Sequence, residues 1–134
     1  HKKCFPRYWN REAFTDFFSV ENTFASLAEN EIKPIGMMVY RVACEQADIL
    51  TLAVLPEYRR QGIAKILLAQ MLENCQKLGV MAIFLEVEVG NDAAIKLYQD
   101  NGFKYINRRK LYYQQPDGTF TDGLMMGKKL QDRS

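Results

Sequence analysis

The stretch DILTLAVLPEYRRQGIAKILLAQMLENCQKLGVMAIFLEVEV, residues 48–89, decides the fold. At its centre, apolar residues recur at spacings of four and three between Gln61 and Leu78, which is typical of an amphipathic helix. Those positions are Ile63, Leu67, Met71, Cys75 and Leu78. Gly79 follows and predicts the C-terminal end of this helix.

Aliphatic runs lie on both sides of the helix. Residues 48–54 predict a strand that Pro56 ends, and residues 81–89 predict a second strand. A strand, a crossover helix and a strand of this length pair in parallel. The centre of the chain is therefore predicted to be one parallel βαβ unit.

The flanking sequence adds two helices and four strands. They are a short helix capped by Asn10, strands at 23–28 and 32–42, a helix at 92–100, and strands at 103–113 and 121–130. The connections between the added strands are short enough for antiparallel pairing. We therefore expect an α+β fold with a mixed, mostly antiparallel central sheet and helices on both faces.

Composition limits the class of protein. A chain of 134 residues fits one domain spanning 1–134, and a net charge of +2 with dispersed basic residues argues against a nucleic-acid partner. No apolar run approaches the roughly 18 residues that span a bilayer, and no secretory signal opens the chain. These features predict a cytoplasmic protein without a membrane partner. The chain is expected to be a monomer or a homodimer.

The histidine and cysteine content limits the catalytic groups and metal sites that the chain can have. His1 is the only histidine, which argues against Ser-His-Asp and Cys-His catalysis and against a His-ligated zinc site. Cys4, Cys44 and Cys75 lack metal-ligand spacing, so no metal is expected. Cys75 lies in the apolar stripe of the long helix and is predicted to be a small buried hydrophobe. Any acid or base is then a carboxylate, a tyrosine or water.

A turn between the first strand and the long helix has the form R-x-x-G-x-A. It reads RRQGIA, residues 59–64. Its small residues let the backbone approach a ligand, and the free N–H groups of a first helical turn favour an anion such as pyrophosphate. Lys65 adds positive charge. The alternative is that Gly62 and Ala64 merely permit close packing of helix and strand.

A second segment, at residues 85–103, adds to the interpretation of the R-x-x-G-x-A turn as a ligand-binding turn. Residues 85–98 read LEVEVGNDAAIKLY, and NGF follows at 101–103. Together the two segments resemble the GNAT acetyltransferase superfamily, which carries R/Q-x-x-G-x-G/A at one helix start and later N-x-x-A-x-x-x-Y-x-x-x-G-F. The positions in register are Asn91, Ala94, Tyr98, Gly102 and Phe103. The resemblance implies the GNAT fold, in which the parallel strand pair splays apart.

Within that superfamily the chain is most similar to bacterial ribosomal-protein alanine N-acetyltransferases and their relatives that modify protein N-termini. The shared positions are Phe5, Pro6, Trp9, Phe14, Leu85 to Val87, Arg108, Arg109, Tyr112, Tyr113, Asp117 and Gly118. Those enzymes begin with an extra strand and most of a helix that are missing before His1. We therefore expect an N-terminally truncated domain that lacks the first strand.

The resemblance implies acetyl-CoA as the co-substrate. Backbone groups of Leu52, Ala53 and Val54 would face its acetyl and pantetheine portions, and the Val54 N–H could polarise the thioester carbonyl. Asn91 would hydrogen-bond the pantetheine arm. The residues that would hold the pyrophosphate are Arg59, Arg60, Gln61, Gly62, Ile63, Ala64 and Lys65.

The resemblance also implies the catalytic residues. Glu86 would be the general base, although Glu88 points to the same strand face and is an alternative. Tyr98 would donate a proton to the CoA thiolate, or only a hydrogen bond, since that transfer runs uphill by about 2 kcal/mol in water. Tyr112 and Tyr113 would line the acceptor pocket or form a cross-strand aromatic pair.

The acceptor is expected to be a protein N-terminal amine. Leaving an α-amine neutral at pH 7.4 costs only about half a kcal/mol, whereas a lysine costs about 4 kcal/mol. One carboxylate acting through water is an adequate base for the α-amine. Two alternatives stay open from the sequence: a small-molecule amine acetyltransferase and a catalytically idle acyl-CoA-binding module.

Overall fold

The computed structural model describes residues 22–130, apart from the side chain of Tyr112. That range contains six strands and two α-helices. In chain order they are β1 (Thr23–Glu29), β2 (Pro34–Ala43), β3 (Gln46–Val54), α1 (Ile63–Lys77), β4 (Ala82–Glu88), α2 (Asp92–Asp100), β5 (Lys104–Gln114) and β6 (Phe120–Lys129). Their order is the predicted one. The predicted helix at Asn10, and Phe5, Trp9 and Phe14, lie outside the described residues.

The six strands form one sheet in the order β1-β2-β3-β4-β6-β5. Only β3 and β4 are parallel, and every other neighbouring pair is antiparallel. This topology confirms the α+β class and the mixed, mostly antiparallel sheet. The expectation of helices on both faces rests partly on the helix at Asn10 and stays a prediction.

The core lies between the sheet and the two helices. Alternate β4 residues, Ile83, Leu85 and Val87, are buried, as expected for a strand with one packed face. All five residues of the predicted α1 stripe belong to this core or pack against it. Burial raises the pKa of the Cys75 thiol to about 12, which agrees with its expected role as an inert hydrophobe.

Two glycines set the position of α1. Gly62 is its N-cap with φ of +82°, so the helix begins at Ile63 rather than at the predicted Gln61. Gly36 on β2 lies under the first turn, where an added Cβ would stand 3.2 Å from both the Ala53 carbonyl oxygen and Ile63 Cγ2. The missing side chain lets the helix start lie close against the ends of β2 and β3.

Candidate active site in the cleft between β3 and β4

The parallel strands β3 and β4 separate soon after they begin to pair. Their register runs from Gln46–Ala82 to Asp48–Phe84, three residue pairs in all. A cavity of about 240 Å³ opens beyond that point, lined by β3, β4, the start of α2 and Tyr113 of β5. The splayed parallel pair implied by the sequence resemblance is therefore present, and the gap forms a cleft.

The backbone of β3 faces this cleft at alternate residues. The Leu55 N–H donates to the Ile35 carbonyl at 2.9 Å, so Leu55 belongs to a hydrogen-bonded antiparallel pair with β2. Hydrogen-bonded and non-bonded pairs alternate along such a ladder, so Val54 and Leu52 direct their backbone groups away from β2. The backbone groups of Ala53 are directed towards β2.

The turn from β3 into α1 is open to a ligand at its helix end. Gly62 has no heavy atom within 4 Å of an added Cβ. Within residues 22–130, the N–H groups of Ile63, Ala64 and Lys65 form no hydrogen bond. Anions bind such amides at the positive end of a helix dipole.

The arginines of this turn differ in what they contact. Arg59 donates from Nε to the Val54 carbonyl at 3.1 Å, which ties the turn to the end of β3. Arg60 has a left-handed φ of +65°, and its side chain is exposed, as are those of Gln61 and Lys65. The exposed cations stand next to the helix start with its unbonded amides.

Glu86 presents one carboxylate oxygen to an anchor and leaves the other unpartnered. Arg109 Nη1 lies 3.4 Å from Oε1. Oε2 is buried and has no hydrogen-bond partner among the described residues. The side chain lines the cleft and is 17% exposed. A buried oxygen without a donor is costly, and an acceptor amine or a water would satisfy it.

Glu88 is engaged elsewhere, although it also lines the cleft. Its Oε2 accepts hydrogen bonds from Gln115 Nε2 and from Thr121 Oγ1, the latter at 2.9 Å. These donors tie β4 to the hairpin of β5 and β6. Of the two carboxylates that the sequence left as alternatives, Glu86 therefore has the geometry of a proton acceptor.

Tyr98 is buried against Phe103 at the cleft floor. The two ring centroids are 5.5 Å apart in an edge-to-face arrangement. The Tyr98 hydroxyl has no partner in the described part of the chain, and the residue lines the cleft. Burial raises the pKa of Tyr98 to about 12, so the hydroxyl stays protonated and can donate a hydrogen bond.

Asn91 has a structural role at the cleft edge. Its Oδ1 accepts the Ala94 N–H at 3.2 Å, which makes it the N-cap of α2. The residue also lines the cleft. Because Oδ1 is occupied, its contribution to a ligand would come from the side-chain Nδ2, a hydrogen-bond donor.

The β5–β6 hairpin forms the remaining wall. Tyr113 lines the cleft, whereas the side chain of Tyr112 lies outside the described residues. Gly123 of β6 is buried between the two site residues, since an added Cβ would stand 2.7 Å from Glu86 Oε2 and 3.0 Å from Tyr113 Cε2. Sequence reasoning missed Gly123 and the Arg109 contact. A glycine inside a strand often marks a close approach, and that signal could have found Gly123.

The described residues contain neither a metal-binding cluster nor a membrane-spanning helix. No group of three or more His, Cys, Asp or Glu side chains in residues 22–130 is arranged to hold a metal ion. Neither described helix is long and apolar enough to cross a bilayer.

The chain is similar in sequence and in fold to known proteins. The model of the acetyltransferase (GNAT) family matches residues 1–103. Ribosomal protein bS18-alanine N-acetyltransferase of Escherichia coli K12 is 35% identical over 115 residues, 86% of this chain and 76% of that protein. N-alpha-acetyltransferase 50 of Danio rerio is 34% identical over 116 residues, 83% and 68% of the two chains. The crystal structure of the Escherichia coli ribosomal-protein-S18-alanine N-acetyltransferase superposes with a TM-score of 0.81 at 29% identity, covering 87% of this chain and 74% of that one.

Proposed function

Since this chain belongs to the acetyltransferase (GNAT) family, we propose that it transfers acetyl from acetyl-CoA to a protein N-terminal α-amine. The observation that carries the proposal is the buried, unpartnered Oε2 of Glu86 in the cleft where β3 and β4 part. Two relatives, named as an alanine N-acetyltransferase and an N-alpha-acetyltransferase, support this class of acceptor.

The proposed contacts of acetyl-CoA extend from the cleft to the turn before α1 and the first turn of α1. The unbonded amides of Ile63, Ala64 and Lys65 would bind the pyrophosphate, with Arg60 adding charge. The remaining residues proposed to contact it are Leu52, Val54, Arg59, Gln61, Gly62 and Asn91. The expected contact with the Ala53 backbone is not proposed, because its groups are directed towards β2. Of the β3 residues, Leu52 and Val54 have the backbone direction for this contact.

The transfer is proposed to be a direct attack. The neutral amine forms a C–N bond to the thioester carbonyl carbon, the C–S bond breaks, and the CoA thiolate leaves. Glu86 accepts the proton that the amine loses, directly or through a water. The Val54 N–H stabilises the oxyanion that develops on the carbonyl oxygen.

Tyr98 stabilises the leaving sulfur by hydrogen bonding. A phenol with a pKa of about 12 would give its proton to a thiolate near 8.5 only at a cost of about 5 kcal/mol. The hydrogen bond alone lowers the charge on the departing sulfur without that cost. Solvent then protonates the thiolate after release.

An α-amine suits a single carboxylate base. The described cleft brings one carboxylate with a free buried oxygen to the splayed strands, whereas Glu88 is held by two neutral donors. Such a site handles an amine that is substantially neutral near pH 7.4. A lysine acceptor would need a further base.

The test is a thiol-release assay with matched peptides. The purified chain is mixed with acetyl-CoA and either a peptide with a free N-terminal alanine and an internal lysine, or the same peptide acetylated at its N-terminus. We expect CoA release only with the free N-terminus, and mass spectrometry should place one acetyl group on the α-amine.

Other results of this assay would assign a different acceptor, or binding without catalysis, to the chain. Equal release with both peptides would make a lysine the acceptor, and release only with small amines would make it a small-molecule acetyltransferase. Thermal stabilisation by CoA without any release would indicate a binding module. Each of these results contradicts the proposed function.

A further inference from the structure

The ladder between β5 and β6 is interrupted beside the cleft. Arg109 pairs with Gly123 and Tyr113 pairs with Thr121, so three residues of β5 lie opposite one residue of β6. This is a bulge with two extra residues on β5. Without it, the residue opposite Thr121 would be two positions earlier in the chain.

The bulge therefore decides which side chain lines the cleft. In an uninterrupted ladder Leu111 would stand opposite Thr121, where Tyr113 now stands. Tyr113 lines the cavity, and its ring lies next to Gly123, the same residue that adjoins the Glu86 carboxylate. The part of the cleft wall beside Glu86, where the acceptor is proposed to bind, therefore depends on the bulge.

Asp122 is the β6 residue opposite the bulge, and its carboxylate contacts β5 at two residues, one inside the bulge and one before it. Oδ1 accepts the Leu111 N–H at 2.7 Å, and Oδ2 accepts a hydrogen bond from Arg108 Nε. The side chain is 13% exposed. These contacts, the Leu111 N–H first and Arg108 second, lower the pKa of Asp122, so the carboxylate is ionised at neutral pH.

Leu111 is the bulge residue that needs such a contact. Its φ is +53°, in the left-handed region that residues with a Cβ adopt at a cost. Its side chain is 67% exposed, so burial contributes little to holding that conformation. The hydrogen bond to Asp122 is the contact that compensates the strained backbone.

We propose that Asp122 is a positioning residue for acceptor binding, which by clamping the Leu111 backbone places Tyr113 on the cleft wall beside Glu86. The inference rests on the proposed function and names a residue that serves it from outside the cleft. The contacts proposed above for acetyl-CoA lie on β3, in the turn before α1, on α1, and at Asn91 and Tyr98. Because none of them is on β5 or β6, loss of the Asp122 hydrogen bonds changes acceptor binding selectively.

The test compares two aspartates of one hairpin. Asp117 also holds local backbone, since its Oδ1 accepts from the Thr119 N–H at 3.0 Å and from Oγ1 at 2.7 Å, but it does not contact the bulge. We expect Asp122→Ala to raise the KM for the free peptide about tenfold and to leave the KM for acetyl-CoA within about twofold. Asp117→Ala should leave both within about twofold.

A rescue variant separates positioning from general stability. Glycine adopts the left-handed conformation freely, so Leu111→Gly makes the bulge less dependent on the carboxylate. The double variant Leu111→Gly with Asp122→Ala should recover the peptide KM to within about threefold of the unsubstituted chain. No such recovery is expected if Asp122 serves only overall stability.

Three results would overturn the inference. They are an unchanged peptide KM in Asp122→Ala, an equal change in both KM values, and no recovery in the double variant although circular dichroism shows a folded chain. If the unsubstituted chain acetylates no free N-terminus, the proposed function fails separately. Hydrogen exchange then tests whether Asp122 holds the Leu111 backbone. Faster exchange of the Leu111 amide in Asp122→Ala supports the inference, and unchanged exchange contradicts it.

Discussion

Arg109 Nη1 lies 3.4 Å from Oε1 of Glu86 and leaves Oε2 of the same carboxylate unpartnered among the described residues. The two oxygens therefore have different surroundings, because one is anchored to β5 and the other is buried beside Gly123 without a donor. A carboxylate held in this way keeps its orientation while it remains able to accept a proton.

Replacing Glu86 by glutamine should remove proton acceptance and keep the anchor. The amide oxygen can still accept from Arg109, but it cannot take a proton from the amine. We expect kcat to fall about 10²–10³-fold with the KM for acetyl-CoA nearly unchanged. Steady-state kinetics with a free N-terminal peptide would check this.

Glu88→Gln is the matched control for that variant. Glu88 is two residues further along the same strand, and its Oε2 accepts two neutral donors that an amide oxygen can also satisfy. We expect kcat to change by no more than about threefold. A larger loss in Glu88→Gln than in Glu86→Gln would reverse the assignment of the base.

Tyr98→Phe should lower kcat about tenfold, the value of one hydrogen bond to the leaving sulfur. The ring that packs on Phe103 is kept, so the fold should survive. The pH profile of kcat should show no ionisation of this tyrosine below about pH 10, since burial raises its pKa to about 12. An unaltered kcat in Tyr98→Phe would exclude a role for the hydroxyl.

The same burial predicts how stability depends on pH. The folded pKa of Tyr98 lies above its ordinary value of 10.0, so its contribution to the free energy of unfolding is complete below pH 10 and is lost as pH rises towards 12. Denaturant unfolding at pH 8 and pH 11 should therefore show a smaller loss in Tyr98→Phe than in the unsubstituted chain.

Gly62→Ala should weaken acetyl-CoA binding as well as the fold. A left-handed alanine costs about 1 kcal/mol in the free energy of unfolding, and the space around Gly62 is otherwise open. Gly118→Ala is the control, because Gly118 has φ of +91° and equal space but lies in the β5–β6 turn. Calorimetric titration should show lower acetyl-CoA affinity in Gly62→Ala alone.

The two described cysteines should differ in reactivity. In a Cys4→Ser background at pH 8, we expect exposed Cys44 to react with a thiol reagent at once. Buried Cys75, with its pKa raised to about 12, should react only after unfolding. Counting labelled thiols by mass spectrometry checks this, and two rapid labels on folded protein would contradict it.

The elements were predictable because their signals are local. The helix predicted at 92–100 has those bounds in the structure, since Asn91 caps its start and Gly102, with φ of +92°, follows its end. The start of α1 differed by two residues because the left-handed Gly62 delays the helix. The sequence does not show whether φ at Gly62 is positive or negative, because glycine can adopt both.

The side-chain partners were not predictable in the same way. Glu86 and Glu88 both lie between aliphatic residues in sequence, and they differ through contacts 23 or more residues away, with Arg109, Gln115 and Thr121. The bulge at Leu111 likewise depends on Asp122 across the hairpin. Long-range geometry of this kind has no periodic signature along the chain.

In the described part of the chain, the short pairing of β3 with β4 divides the sheet into two halves of three strands each, joined by three residue pairs. Where β3 and β4 have separated, their facing amide groups have no strand partner among residues 22–130. A ligand that carries its own amides can hydrogen-bond to them in place of a strand. Such a ligand would lock the halves together. Hydrogen exchange along both β3 and β4 should therefore differ between the bound and the free protein, including at amides that the ligand does not contact.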